Sequence, residues 1–148
     1  MATEVLGVEA FGPHLVLDGS GCKLARLICP SLALEFLEAM PRLIHMTPIM
    51  PPFITRNREG VSGIVLIAES HISIHTMPEI LGFHLDIFSC KAFNQKKAIS
   101  FTKKFFGATG SRRRLFNRGL EYPRHVNLRE VLIRERTGFN QQGKGGPG

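Results

Sequence analysis

Between Ser62 and Cys90 the chain concentrates side chains suited to chemistry at a carbonyl: hydroxyls at Ser62 and Ser70, imidazoles at His71 and His75, a thiol at Cys90, and carboxylates at Glu69 and Glu79. Hydroxyls and thiols attack acyl carbons or hand over protons, and a neutral imidazole takes a proton near pH 7. Residues 71–76 alternate strictly, so a strand here sends His71, Ser73 and His75 to one face and Ile72 and Ile74 to the other. The isoleucines would anchor that strand in a core while the imidazoles stay accessible. Singly, each residue has a commoner structural use. Ser70 reads as a turn serine, His71 or His75 as a histidine bonded to backbone, Cys90 as a small buried hydrophobe and Glu79 as a surface acid.

Their order in the chain says more than any one of them. Gly60-Val61-Ser62-Gly63 precedes Glu69-Ser70-His71, His75 follows four residues later, and then come Pro78-Glu79 and Asp86-Ile87-Phe88-Ser89-Cys90. Over roughly thirty contiguous positions this pattern resembles the self-processing site of the prokaryotic S-adenosylmethionine decarboxylase proenzyme family. The resemblance implies that Ser70 Oγ attacks the carbonyl carbon of Glu69, giving an ester whose elimination and hydrolysis leave a pyruvoyl group. The chain would then divide between Glu69 and Ser70 into residues 1–69 and 70–148. It further implies that the pyruvoyl carbonyl forms a Schiff base with the substrate amine and acts as an electron sink for decarboxylation. His14, His45, His84 and His125 share no metal-ligand spacing, so no metal is expected. On the same resemblance His75 is the proton acceptor in processing, Ser62 assists it, Cys90 reprotonates the product carbon and Glu79 contacts substrate hydroxyls. The implied setting is spermidine synthesis, with a small-molecule substrate and a homodimer whose active sites lie at the subunit interface.

Two departures bear on the substrate. Met77 stands where the family usually has Trp, and the segment preceding Gly60, which carries aromatic residues in adenosylmethionine-specific members, reads Phe53-Ile54-Thr55-Arg56-Asn57-Arg58-Glu59. Adenine is held by stacking, so Phe53, with Arg56 through its guanidinium plane, is the expected substrate-binding platform. An ornithine or arginine decarboxylase using the same pyruvoyl chemistry is the alternative. An inactive regulatory paralogue is a further one, opposed by the joint presence of Glu69, Ser70, His75 and Cys90.

The elements that must position these groups are legible in outline. His14–Asp18 reads as a first strand, with Gly19-Ser20-Gly21 as its turn, and Ser31 as the N-cap of a helix whose apolar stripe is Leu32, Phe36, Leu37, Met40 and Leu43. Pro41 must end or kink that helix, and the proline-rich 48–52 segment suits an edge or a connection. Residues 62–68, 71–76 and 82–89 read as strands, and Asn94 and Gly107 bracket a second helix. The expected fold class is α+β: a single-domain antiparallel sheet with helices packed on one face, the sandwich of the decarboxylase family. The domain is expected over residues 1–140, with 141–148 a disordered tail.

Composition narrows the class. The formal net charge of +7 raises nucleic acid as a partner, but one Tyr, no Trp and no aromatic ribonucleoprotein strand accompany it. Arg112-Arg113-Arg114 and the lysine pairs read as solvated helix faces and surface loops, and no nucleic-acid partner is expected. Cys22, Cys29 and Cys90 are scattered and odd in number, so neither a disulfide framework nor a zinc site is expected, and Cys22 is assigned to packing. The acidic N-terminus and the short apolar run Ile64–Ala68 predict a cytoplasmic protein without membrane association.

Overall fold

Alternation of apolar and polar residues decides which side of each strand meets the core. The computed structural model describes residues 12–119. Among them lies a six-stranded antiparallel sheet in the order β2-β3-β4-β5-β1-β6. In chain order the elements are β1 (Gly12–Ser20), α1 (Leu24–Leu27), α2 (Pro30–Leu43), β2 (Phe53–Arg56), β3 (Val61–Ile67), β4 (Ser70–Met77), a 3-10 turn (Pro78–Ile80), β5 (Gly82–Ser89), α3 (Gln95–Phe106) and β6 (Gly110–Arg118). Leu15, Leu17, Ile72, Ile74, Leu85 and Ile87 are fully buried on one face. They form a single core cluster with Phe36, Leu37 and Met40 of α2 and Ala98, Phe105 and Phe106 of α3. The expected α+β class, with helices on one side of an antiparallel sheet, is the one found.

Aromatic packing ties the two long helices together and to the sheet. The Phe36 ring lies 5.8, 5.4 and 5.1 Å from those of Phe101, Phe105 and Phe106, and Phe106 lies 5.2 Å from Phe83 of β5. Each such pair adds about 0.5–1.5 kcal/mol beyond the area it buries. At the N-terminus of α3, Asn94 Oδ1 accepts from the Lys97 N–H at 3.0 Å. At its other end Gly107 takes the left-handed conformation at φ 66°, and Lys103 and Lys104 in the last turn face the negative end of the helix dipole.

The Ser31 cap and the reading of Arg112–Arg114 need correction, while the expectations at Pro41 and 48–52 hold. Helix α2 is capped by Cys29 and not by Ser31, because Pro30 occupies the first helical position, where its missing N–H costs nothing and its φ is already helical. Pro41 lies inside the last turn; it can give no N–H to Leu37, the helix ends two residues on, and Met46 N–H bonds the Pro41 carbonyl at 2.8 Å. Residues 48–52 form a connection with one bridge, Pro48 to Ile67, and the strand lies beyond it at Phe53–Arg56. Arg112, Arg113 and Arg114 belong to neither a helix nor a loop. They sit on β6, an exposed edge strand, where charge discourages pairing with another chain. No helix among the described residues is long and apolar enough to cross a membrane. The expected domain end at residue 140 and the tail at 141–148 lie outside the described residues.

Thr76 joins three elements through one buried hydroxyl. Its Oγ1 accepts from Val61 N–H at 2.9 Å and donates to the Leu27 carbonyl at 2.8 Å, which fixes the end of α1 against β3 and β4. Thr76→Val keeps the shape and strands both backbone groups, so unfolding in urea should show a loss of about 2 kcal/mol. Thr76→Ser, which retains the hydroxyl, should lose less.

Candidate active site

The hairpin between β3 and β4 makes the centre of the site. Ile67 pairs with Ser70, so only Ala68 and Glu69 close the turn. Two-residue hairpins favour glycine or asparagine because they need positive φ, and neither residue is present. The positive φ falls instead on Ser70, at 155°, a conformation that L-residues other than glycine rarely adopt and that costs about 1–3 kcal/mol. The turn is clamped from below: Glu69 Oε2 accepts from Thr47 N–H at 3.2 Å, and Ala68 N–H donates to the Thr47 carbonyl at 2.8 Å.

Strand β5 supplies the other half. Ser70 pairs with the buried Ser89, and one rung further Cys90 N–H donates to the Glu69 carbonyl at 2.9 Å. That carbonyl is the group a Ser70 nucleophile would attack, and a backbone donor already lies on its oxygen. Cys90 itself is exposed beside it. Adjacent residues of a regular strand point to opposite faces, yet Ser70 Oγ lies 3.3 Å from His71 Nδ1. The break in alternation coincides with the unusual φ of Ser70. Ser70, Cys90 and His71 therefore form one group, together with the hydrogen-bonded Glu69 carbonyl.

A second group lies further along the same strands. Ser62 of β3 and His75 of β4 are cross-strand partners, and Ser62 Oγ bonds His75 Nδ1 at 2.8 Å. His75 is five residues from Ser70 on an extended strand, about 16 Å at about 3.3 Å per residue. Proton transfer needs contact near 3 Å, so within one chain His75 does not reach Ser70. A cavity of ≈ 400 Å³ on the open sheet face runs from His71 to His75, with Ser62, Ser73, Ile64, Leu66 and Phe53 in its walls. Phe53 is 62% exposed and presents its ring to this depression. Arg56 does not join it. Three residues on along β2 it points the opposite way, lining a separate recess with Ile28, Asn57 and Pro78. Glu79 is exposed in the 3-10 turn after β4, beyond the His75 end.

The remaining expectations sort simply. Cys22 is buried in the core, where burial raises its thiol pKa, and Cys29 caps α2 with its Sγ 2.9 Å from Ser31 Oγ. Two features had no signature in residue type: the Cys90 N–H on the Glu69 carbonyl, because any residue but proline offers that donor, and the Ser70–His71 contact, because strand alternation argues against it. A strained serine follows a carbonyl that already has its hydrogen-bond donor.

The sheet, open on one face and carrying serines, imidazoles and a thiol, is matched by one family of enzymes, the decarboxylases that act on adenosylmethionine. The family profile described as S-adenosylmethionine decarboxylase matches residues 13–119. The chain is 36% identical over 94 residues to an S-adenosylmethionine decarboxylase proenzyme of Clostridium botulinum (strain Loch Maree / Type A3), covering 63% of this chain and 81% of that one. It is 33% identical over 116 residues to the proenzyme of the same description from Pyrococcus furiosus, covering 77% and 83%. Its fold resembles the crystal structure of the adenosylmethionine decarboxylase from Aquifex aeolicus with a TM-score of 0.66 at 23% identity, over 78% of this chain and 95% of that one. The chain belongs to the S-adenosylmethionine decarboxylase family.

The strain at Ser70 can be measured without the chemistry. Ser70→Ala and Ser70→Gly both remove the nucleophile, and glycine in a strand is ordinarily the less stable of the two by about 0.5–1 kcal/mol. At φ 155° the order should reverse, with Ser70→Gly more stable by about 1 kcal/mol in urea denaturation. The ordinary order would show that the junction is unstrained.

Proposed function

We propose that this chain decarboxylates S-adenosylmethionine for polyamine synthesis, after cutting itself between Glu69 and Ser70 and as a homodimer with sites shared between copies. The observation that carries the reading is the Glu69–Ser70 junction: a positive φ at Ser70 and the Cys90 N–H on the Glu69 carbonyl. Attack by Ser70 Oγ moves the acyl group from nitrogen to oxygen, and the donor on the carbonyl oxygen stabilises the charge that develops there. Loss of the Ser70 Cα proton then expels the Glu69 carboxylate, and hydrolysis of the resulting dehydroalanine, through its imine tautomer, releases the Ser70 nitrogen as ammonia and leaves the pyruvoyl group at the new N-terminus. Bound to a substrate amine, that group accepts the electron pair left when carbon dioxide departs. Ser70 heads the strand carrying the depression, Cys90 stands beside it as proton donor for the product carbon, and the exposed Phe53 ring offers a face for adenine. Glu79, exposed beyond the His75 end, is the carboxylate we assign to substrate hydroxyls.

The separation of the two groups supports the homodimer. His75, bonded to Ser62 of β3, lies about 16 Å from Ser70 along β4, so we assign the removal of the Ser70 Cα proton to the His75 of a second copy. Phe53, Ile64, Leu66 and Phe116 leave the open sheet face exposed and partly apolar, which suits apposition of two such faces.

Intact mass measurement of freshly purified protein tests the core of this reading. Fragments 1–69 and 70–148, the second blocked at its N-terminus, are expected, and a chain that stays whole under all conditions sinks it. Carbon dioxide release with adenosylmethionine, ornithine and arginine in parallel should proceed with adenosylmethionine, and release from either amino acid instead would overturn the substrate assignment. The shared site has its own test. A His75→Ala chain alone should stay uncut, and co-expression with a Ser70→Ala chain should restore its cleavage, because the mixed dimer holds one complete site. Failure of that rescue, with both chains folded, would place all the groups in a single copy.

A further inference from the structure

We propose that His71 is the base that activates Ser70 for the first step of self-processing, a catalytic role that rests on the reading of Glu69–Ser70 as the cleaved bond. Ser70 Oγ lies 3.3 Å from His71 Nδ1, and His75 of the same chain is about 16 Å away along β4. In this step the Ser70 hydroxyl proton passes to His71 Nδ1 as Oγ bonds to the Glu69 carbonyl carbon. The charge moves to the Glu69 oxygen, which the Cys90 N–H already contacts at 2.9 Å. The carbon–nitrogen bond then breaks, and the Ser70 nitrogen takes the proton back from the His71 imidazolium. The product is an ester with a free amine, an isomer of the starting peptide, and no other reactant is needed. His71 thus acts before the elimination in which His75 takes the Cα proton.

The surroundings keep the His71 ring in place and neutral. Its cross-strand partner is Phe88, whose ring centroid lies 6.0 Å away, and Arg118 of β6 covers Phe88 at 4.2 Å. His14 of β1 lies 5.7 Å from Phe88 and bonds Asp86 of β5 at 3.0 Å; on β3 the neighbour is Leu66, which carries no charge. Burial first, and then the fields of His14 and Arg118, push the His71 pKa below its usual value, while Asp86 pulls the other way. A depressed pKa leaves the imidazole unprotonated and able to accept at neutral pH. The same field penalises the imidazolium formed during the step, which favours prompt return of the proton to the leaving nitrogen.

The experiment follows the unprocessed chain by intact mass after rapid synthesis, with and without hydroxylamine, which cuts esters and spares peptide bonds. His71→Ala should slow cleavage by about 10²–10⁴-fold and accumulate an uncut chain resistant to hydroxylamine. His75→Ala should instead accumulate a chain that hydroxylamine cuts. Added imidazole should restore cleavage in His71→Ala, an outcome that a packing role would not produce. Should His71→Ala fail to fold, His71→Asn serves in its place; it can bond the hydroxyl but cannot take its proton, and should be equally slow. The wild-type rate should fall as pH drops through a midpoint below that of an ordinary histidine, because only the neutral ring is a base. Wild-type rates in His71→Asn, or a hydroxylamine-sensitive chain in His71→Ala, would overturn the assignment. A wild-type chain that never cuts would overturn self-processing itself, and this role with it.

Discussion

The register of β4 between β3 and β5 is the constraint on which the rest depends. It sets Ser62 opposite His75, Ser70 opposite Ser89, and Cys90 N–H against the Glu69 carbonyl in one stroke. A slip of one residue would send Ile72 and Ile74 into solvent and the imidazoles into the core, so the core holds the register far more firmly than any contact within the site could. The chemistry borrows its alignment from hydrophobic burial. That explains why the candidate site residues alternate with fully buried isoleucines.

The tight turn then adds strain where it has a use. A two-residue hairpin built from Ala68 and Glu69 has no glycine to absorb a positive φ, and Ser70 absorbs it instead. The strained torsion is the N–Cα bond of Ser70, next to the peptide that the proposed acyl shift breaks. Moving the acyl group to oxygen frees that nitrogen from the turn, so relief of strain and bond cleavage run in the same direction. Glu69 contributes through its side-chain tie to Thr47, which holds the turn closed until then.

How far the sequence was readable depended on whether a signal lay in residue type or in backbone. The alternation of 71–76, the apolar face of 82–89 and the Asn94 and Gly107 boundaries of α3 are type signals, and each matches the element found. Strand β2 was hidden because Pro51 and Pro52 precede it and Arg56 closes it, leaving only Phe53-Ile54-Thr55 to show a strand. Arg112-Arg113-Arg114 concealed β6 for the opposite reason: an edge strand tolerates charge on both faces, so no alternation survives. In the site, the motif residues were legible one by one, but their grouping was not. Five residues span about 7.5 Å in a helix and about 16 Å in a strand, and that difference separates His75 from Ser70.

This separation has a chemical logic of its own. The acyl shift and the elimination make opposite demands on a base. The first needs a group that takes a proton briefly and returns it to the leaving nitrogen, and a half-buried imidazole whose charged form is disfavoured suits that exchange. The second needs a base that removes a carbon-bound proton and keeps it long enough for the carboxylate to leave. His75, exposed on the open face and bonded to Ser62 Oγ at 2.8 Å, is the group offered for that step. One histidine of a single chain could not stand at both places, about 16 Å apart along β4. Placing the second imidazole on a neighbouring copy also ties completion of the cofactor to assembly, so that in the proposed homodimer an isolated chain could reach the ester but would not go past it.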